Sequence, residues 1–180
     1  ANPQILSDNK INQKGQRIFY TYTAIPQSTG ADSIPYITIM QVNKVLTKEP
    51  VFVEDNDAKD YGTDPIEISG QSISKAHLNL RYTFLNGGNH LIPHSISLLI
   101  AKDAQPDARG YLSAELRHDA ADDLQLNANS GYVSFTLENM PGFKEGTLKG
   151  FKIKTKTIKN ETDIVEVTMN NNRKSMNFNI

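Results

Sequence analysis

The densest group of chemically active side chains lies in residues 117–123, which read Arg-His-Asp-Ala-Ala-Asp-Asp. Asp119, Asp122 and Asp123 could together hold a hard cation such as Ca²⁺, which takes roughly six to eight oxygen ligands. The acids do not alternate and no glycine stands between them, so the segment lacks the EF-hand pattern. The alternative is a solvated loop, in which these side chains accept hydrogen bonds from backbone N–H groups at a turn or in one turn of helix over 119–124.

The histidines are the other potential metal ligands, and the chain has four of them: His77, His90, His94 and His118. No pair shows the spacing of a ready-made zinc site, and Pro93 prevents helical spacing between the second and third. His118 and Asp119 are neighbours on a predicted strand, so they point to opposite faces and are not expected to bond directly. The sequence therefore favours ordinary polar residues on strand faces over a catalytic or metal-binding set.

Composition excludes several classes of function. The chain has no Cys, which rules out disulfides, thiolate metal sites and a Cys nucleophile. Its 19 basic and 20 acidic residues give a formal net charge of −1. That balance argues against nucleic acid as a partner, because capture of nucleic acid needs a basic surface. No Gly-x-Ser-x-Gly motif is present, and no residue pattern indicates a cofactor.

Alternation of apolar and polar side chains predicts an all-β chain. Over residues 76–84, Ala, Leu, Leu, Tyr and Phe alternate with His, Asn, Arg and Thr, so one face is apolar. Such runs at short intervals are typical of an antiparallel sandwich or barrel. The other predicted strands cover 17–23, 36–46, 51–53, 94–100, 111–117, 132–137, 148–159, 164–169 and 176–180. An acidic, turn-forming segment between about residues 54 and 68 predicts a domain boundary.

A row of lysines marks the strand predicted over 148–159. Lys152, Lys154 and Lys156 share one face and could attract an anion, a lipid headgroup or a glycan sulfate. Lysines in such a row more commonly protect the edge of a sheet from pairing with another sheet, and we favour that interpretation.

Several of these segments resemble the NigD-like family of envelope lipoproteins of Bacteroides-type bacteria. The segments that carry the resemblance are 76–82, 94–98, 116–120 with the following Asp pair, 133–137 and, upstream, 15–19, 43–48 and 62–66. The resemblance implies an OB-like N-terminal module over residues 1–60, shorter here than in the family. It implies an immunoglobulin-like antiparallel β-sandwich over residues 61–180.

The resemblance also implies a location, but it carries over no catalytic residue. We expect a non-enzymatic protein of the periplasm or cell surface that binds a protein or glycan partner, adheres, or joins an assembly. Contact with the membrane is expected only through an N-terminal lipid anchor of the precursor, which this chain does not contain. The alternative hypothesis is a metal-dependent hydrolase centred on the loop at 117–123. A further alternative is strand addition from another subunit at an open barrel edge.

Overall fold

A computed structural model of the chain describes residues 4–13, 15–25, 36–54, 57–89 and 91–169. It divides into two compact units, residues 1–47 and 48–180. The predicted boundary at residue 60 is displaced towards the N-terminus, because strand β4 (Val51–Val53) pairs with a strand of the second unit. The strand predicted over 176–180 lies outside the described residues. Within the described part of the chain, no helix is long and apolar enough to span a membrane.

The first unit contains a short helix α1 (Gln4–Asp8) and two strands, β1 (Ile18–Ala24) and β2 (Ile37–Lys44), paired as an antiparallel ribbon. The register shifts between Thr21 and Tyr22. A short strand β3 (Leu46–Lys48) follows at the division between the units. The all-β prediction is confirmed, but the described residues of this unit form no closed barrel. The helix α1 was not predicted.

The second unit is a β-sandwich. Its strands after β4 are β5 (Ile66–Ser74), β6 (His77–Asn86), β7 (Ser95–Ala101), β8 (Tyr111–Asp119), β9 (Asn127–Thr136), β10 (Gly150–Lys156) and β11 (Thr162–Thr168). One sheet has the order β11-β10-β8-β7-β4, and the facing sheet contains β9-β6-β5. A short 3-10 helix (Ala58–Tyr61), also not predicted, packs against β7 and β8.

The predicted β-sandwich is confirmed, but its five-stranded sheet is mixed where the sequence predicted antiparallel pairing. Strands β8 and β10 are parallel, and so are β4 and β7. The chain crosses to the other sheet to form β9 before it returns as β10, so β8 and β10 run in the same direction. Alternation within a strand shows which side chains face the core, but it does not show the direction of the neighbouring strand.

The core lies between the two sheets and contains the apolar faces predicted from alternation. Leu78 and Leu80 of β6, Leu116 of β8 and Phe135 of β9 are each at most 2% exposed. Phe135 pairs with Leu78 across the β6–β9 ladder. Full burial of such side chains contributes about 1.5–3 kcal/mol each. This core fixes the ends of the strands, and with them the loops that connect one sheet to the other.

Candidate binding site at one end of the sandwich

Two neighbouring loops link the sheets at one end of the sandwich. The β6–β7 loop covers residues 87–94, and the β8–β9 loop covers residues 120–126. They lie side by side because β6 pairs with β9 up to Asn86 and Asn127, and β7 pairs with β8 from Ser95 and Asp119. The acidic stretch singled out in the sequence ends β8 and forms the second of these loops.

The side chain of Asp123 links the two loops by hydrogen bonds. One of its carboxylate oxygens, Oδ2, accepts the backbone N–H of Gly87 at 2.8 Å and contacts Nε2 of His94 at 3.2 Å. The other oxygen accepts the backbone N–H of Leu124 at 2.9 Å. Its side chain is only 4% exposed. The Gly87 N–H and then His94 hold the pKa of Asp123 below its usual value, so the carboxylate is charged at neutral pH.

The two ends of the β6–β7 loop therefore meet on one carboxylate. Gly87 begins this loop and His94 ends it, and both contact Asp123 of the neighbouring loop. A backbone bond from the Leu126 N–H to the Asn86 carbonyl adds a further link between the loops. Loops tied at both ends lose less conformational entropy when they bind a partner.

His94 continues the chain of polar contacts into the core. Its Nδ1 lies 2.9 Å from Nε2 of His118, and Nδ1 of His118 lies 3.1 Å from the carbonyl oxygen of Pro65. His118 is 1% exposed, and burial lowers its pKa, so the ring is neutral at pH 7. Phe84 packs edge-on against both imidazoles. The contacts join β5, β7 and β8, so they tie the two sheets at this end.

The position of each proton follows from these contacts. A carbonyl only accepts, so Nδ1 of His118 carries a proton and its Nε2 accepts from Nδ1 of His94. Nε2 of His94, on the other side of the ring, contacts Oδ2 of Asp123, so the polar atoms of these three side chains have partners within the protein.

The side chains of the three acids predicted as metal ligands share no contact with one another. Asp119 accepts the N–H of Ala121 at 2.9 Å, Asp123 holds the loops, and Asp122 is exposed. No group of three or more His, Asp or Glu side chains that could hold a metal occurs among the described residues. The geometry therefore gives the predicted metal site no support. It favours the alternative, in which Asp side chains bind backbone N–H groups of a turn.

The single turn of helix that the sequence offers as an alternative over 119–124 does not form: Asp119 ends β8, and a turn follows at 121–122. Ala121 and Asp122 have positive φ angles of 50° and 62°, which end any right-handed helix there. Asp64, which the sequence did not indicate, stabilises this turn. Its Oδ2 accepts the N–H of Ala120 at 2.8 Å, and its Oδ1 accepts from the side chain of Gln125 at 3.0 Å.

The contact between His94 and His118 was also missed. These residues are far apart in the sequence, and only the register of the β7–β8 hairpin, in which Ile96 faces His118, brings them together. A hairpin register assigned from the turn at 102–110 would have predicted the contact. His77 lies at the opposite end of β6, and His90 lies outside the described residues.

Three large apolar side chains are exposed on the two loops. Leu91 is 89% exposed, Leu124 is 64% exposed and Leu126 is 69% exposed. We call these three residues the leucine surface. The first belongs to the loop that Asp123 holds at both ends, and the other two flank Gln125 of the second loop. Exposed apolar side chains grouped on ordered loops are typical of interaction sites.

Comparison with known proteins identifies the family. Residues 49–169, more than half of the chain, match the model of the NigD-like C-terminal beta sandwich domain. The chain belongs to this family. The resemblance predicted from the sequence is confirmed, and the matched range corresponds to the second unit of the fold. Among curated proteins, no sequence matches the chain.

Solved structures from Bacteroides and Parabacteroides species share the fold. A putative toxin-related protein from Parabacteroides distasonis has 26% identity and a TM-score of 0.66, over 86% of this chain and 73% of that one. A NigD-like immunity protein from Bacteroides caccae has 16% identity and a TM-score of 0.61, over 83% and 71%. A putative lipoprotein from Bacteroides fragilis has 12% identity and a TM-score of 0.55, over 83% and 80%.

Proposed function

We propose that the chain is a non-catalytic binding module of the bacterial cell envelope, and that it recognises another protein through the leucine surface. The observation that carries the proposal is the pairing of two features at one end of the sandwich. The polar atoms of His118, His94 and Asp123 bind partners within the protein, and these contacts hold the loops in place. The exposed leucines are left to face a partner.

The similar proteins support the class of partner and the location. Two of them are described as an immunity protein and as a putative toxin-related protein, and both descriptions fit action through binding another protein. A third is described as a putative lipoprotein. We therefore propose that the precursor is anchored in the outer membrane by a lipid and that this module lies in the periplasm or on the cell surface.

Site-directed photocrosslinking in cells tests the proposal. The photoreactive residue p-benzoylphenylalanine replaces Leu124 in a chain displayed in the envelope of a Bacteroides strain. The matched control carries it at Ile164, an exposed apolar residue of β11 in the same unit (61% exposed). We expect a discrete protein adduct from position 124 only. Identical adducts from both positions, or none from position 124, would contradict the proposal.

A further inference from the structure

The leucine surface lies in a part of the chain that contains no positive side chain. Neither residues 82–101 nor residues 118–137, which form this end of the sandwich with its flanking strands, contain Lys or Arg. They contain three acids, Asp119, Asp122 and Asp123, so their formal charge is −3. The rest of the chain holds 19 basic and 17 acidic residues, a net charge of +2. The formal charge of these two segments is therefore opposite in sign to that of the rest of the chain.

Three cations approach this end, and each has a partner of its own. Lys48 donates to the carbonyl of Ile96. Arg117 bonds the carbonyl of Gly62 and pairs with Glu115. Arg81 stands over the ring of Tyr132, with its guanidinium carbon 5.9 Å from the ring centroid. None of the three pairs with the exposed Asp122. A partner that meets the leucines at this end therefore also meets a negative field.

We propose that the leucine surface docks a cationic amphipathic segment of its partner, in which apolar side chains are interspersed with Lys or Arg. This deepens the proposed function and rests on it. The apolar residues of the segment cover the three leucines, and its basic residues face Asp119 and Asp122. The tied loops present a preformed surface, so the segment, and not the sandwich, becomes ordered on binding.

Charge disfavours the two other occupants of an exposed apolar surface. A second copy of this chain, docked through the same surface, would bring the same acids face to face. An anionic lipid surface would repel them as well, because headgroup attraction needs basic residues near the apolar contact. A basic amphipathic protein segment satisfies both the leucines and the acids.

Binding of a model peptide to the whole chain tests the inference. The probe is a fluorescent peptide of alternating Leu and Lys blocks, and the comparison peptide replaces each Lys by Glu. Fluorescence anisotropy at low and high salt measures affinity. We expect the Leu/Lys peptide to bind at least roughly tenfold more tightly than the Leu/Glu peptide, with an affinity that falls as salt rises.

Two sets of variants locate the contact. Serine in place of all three leucines is expected to weaken binding of the Leu/Lys peptide roughly tenfold, whereas Ile164→Ser has no effect. Asp119→Asn with Asp122→Asn is expected to weaken binding severalfold and to reduce its salt dependence. The matched control changes two exposed acids elsewhere, Glu161→Gln with Asp163→Asn. Asp123 is left unchanged because it holds the loops.

Several outcomes would overturn the inference. One is equal affinity for the Leu/Lys and Leu/Glu peptides. Another is an unchanged affinity of the triple serine variant for the Leu/Lys peptide. A third is an equal loss of affinity in the Asp119/Asp122 variant and in the Glu161/Asp163 control. Self-association in light scattering that the serine variant abolishes would assign the surface to a second copy. Leucine-dependent binding to anionic vesicles would assign it to a membrane. If position 124 still crosslinks a protein in cells while the Leu/Lys peptide fails to bind, the proposed function stands and only the cationic partner is wrong.

Discussion

Asp123 at one end of the sandwich and Asp107 at the other make nearly the same contacts. Asp107 accepts the backbone N–H groups of Arg109 and Tyr111, each at 2.9 Å, and pairs with Lys152 at 2.6 Å. Asp123 likewise accepts two backbone N–H groups and contacts one basic side chain. The side chain of Asp107 is 36% exposed, whereas that of Asp123 is 4% exposed.

The difference shows how burial changes the role of one motif. The Lys152 hydrogen bond, followed by the Tyr111 N–H, lowers the pKa of Asp107 to about 2, but water and salt screen this pair. Asp123 is shielded, and its contacts continue through His94 and His118 to the other sheet. The contacts at the buried end join the two loops and both sheets, whereas those at the exposed end order the β7–β8 hairpin and link it to β10 of the same sheet.

Two glycines with positive φ give the largest expected contrast between the ends. Gly62 (φ +75°) lies against the backbone at the buried end, where an added Cβ would stand 2.6 Å from Cα of Asp119. Gly146 (φ +71°), at the exposed end, has open space around it. We expect Gly146→Ala to cost about 1–2 kcal/mol from the backbone conformation alone. Gly62→Ala should cost about 1–3 kcal/mol more through overpacking. Urea unfolding measures both, and equal losses would contradict the close packing at Gly62.

Removal of the buried His118 imidazole should give the second-largest loss of stability. His118→Ala leaves the Pro65 carbonyl and Nδ1 of His94 without their partner and opens a cavity. We expect a loss of about 2–4 kcal/mol in the free energy of unfolding. His94→Ala, whose side chain is 12% exposed, is expected to cost less because water can replace part of its contacts. If the two variants lose the same stability, the distinction between buried and exposed contacts at this end is wrong.

The two ends should contribute to the free energy of unfolding in different ranges of pH. The pKa of His118 is lowered by burial, so below about pH 6.5 the unfolded chain binds a proton that the native ring does not. Stability is therefore lost as the pH falls from about 6.5 towards the native pKa. Asp107 contributes stability above its ordinary value of 3.8 that is lost as the pH falls through about 2. Unfolding free energies from pH 7.5 to 5 should decline in the wild type and decline less in His118→Gln. An equal decline in the variant would contradict this assignment.

The smallest effect is expected from the exposed ion pair. Lys152→Ala should leave the unfolding midpoint nearly unchanged at physiological salt, because exposed pairs are screened. It should raise the pKa of Asp107 from about 2 towards 3.8, because the Lys152 hydrogen bond is the largest cause of the shift. A carboxyl NMR titration measures this change. If Lys152→Ala greatly lowers the free energy of unfolding and leaves the pKa of Asp107 unchanged, the exposed end is not the weaker of the two.

The elements predicted correctly from the sequence are those whose faces alternate without interruption. The alternation over 76–84 matches β6, whose Leu78 and Leu80 are buried, and the alternation in β8 and β9 matches in the same way. Strand β5 was not predicted because Gly70 and its polar neighbours interrupt the pattern, and a bulge shifts the register there.

The candidate site was predictable only in part, because its contacts depend on pairing between strands. The acidic loop was visible as a cluster, but its partners belong to two other segments: Gly87 and His94 to the β6–β7 loop, and Asp64 to the stretch before β5. No local sequence pattern shows that a carboxylate in one loop will bind the backbone and side chain of a different loop. The exposed leucines were equally hidden, since an isolated leucine in a loop has no periodicity that indicates its exposure.

The parallel pairing of β4 with β7 bears on how the chain is made. Val51 leaves the ribosome well before its partner Leu99, and the strands between them belong to the opposite sheet. Pairings between distant segments are slow to form. The earliest-synthesised strand of the five-stranded sheet therefore keeps Val51, Phe52 and Val53 unpaired until β7 has been synthesised.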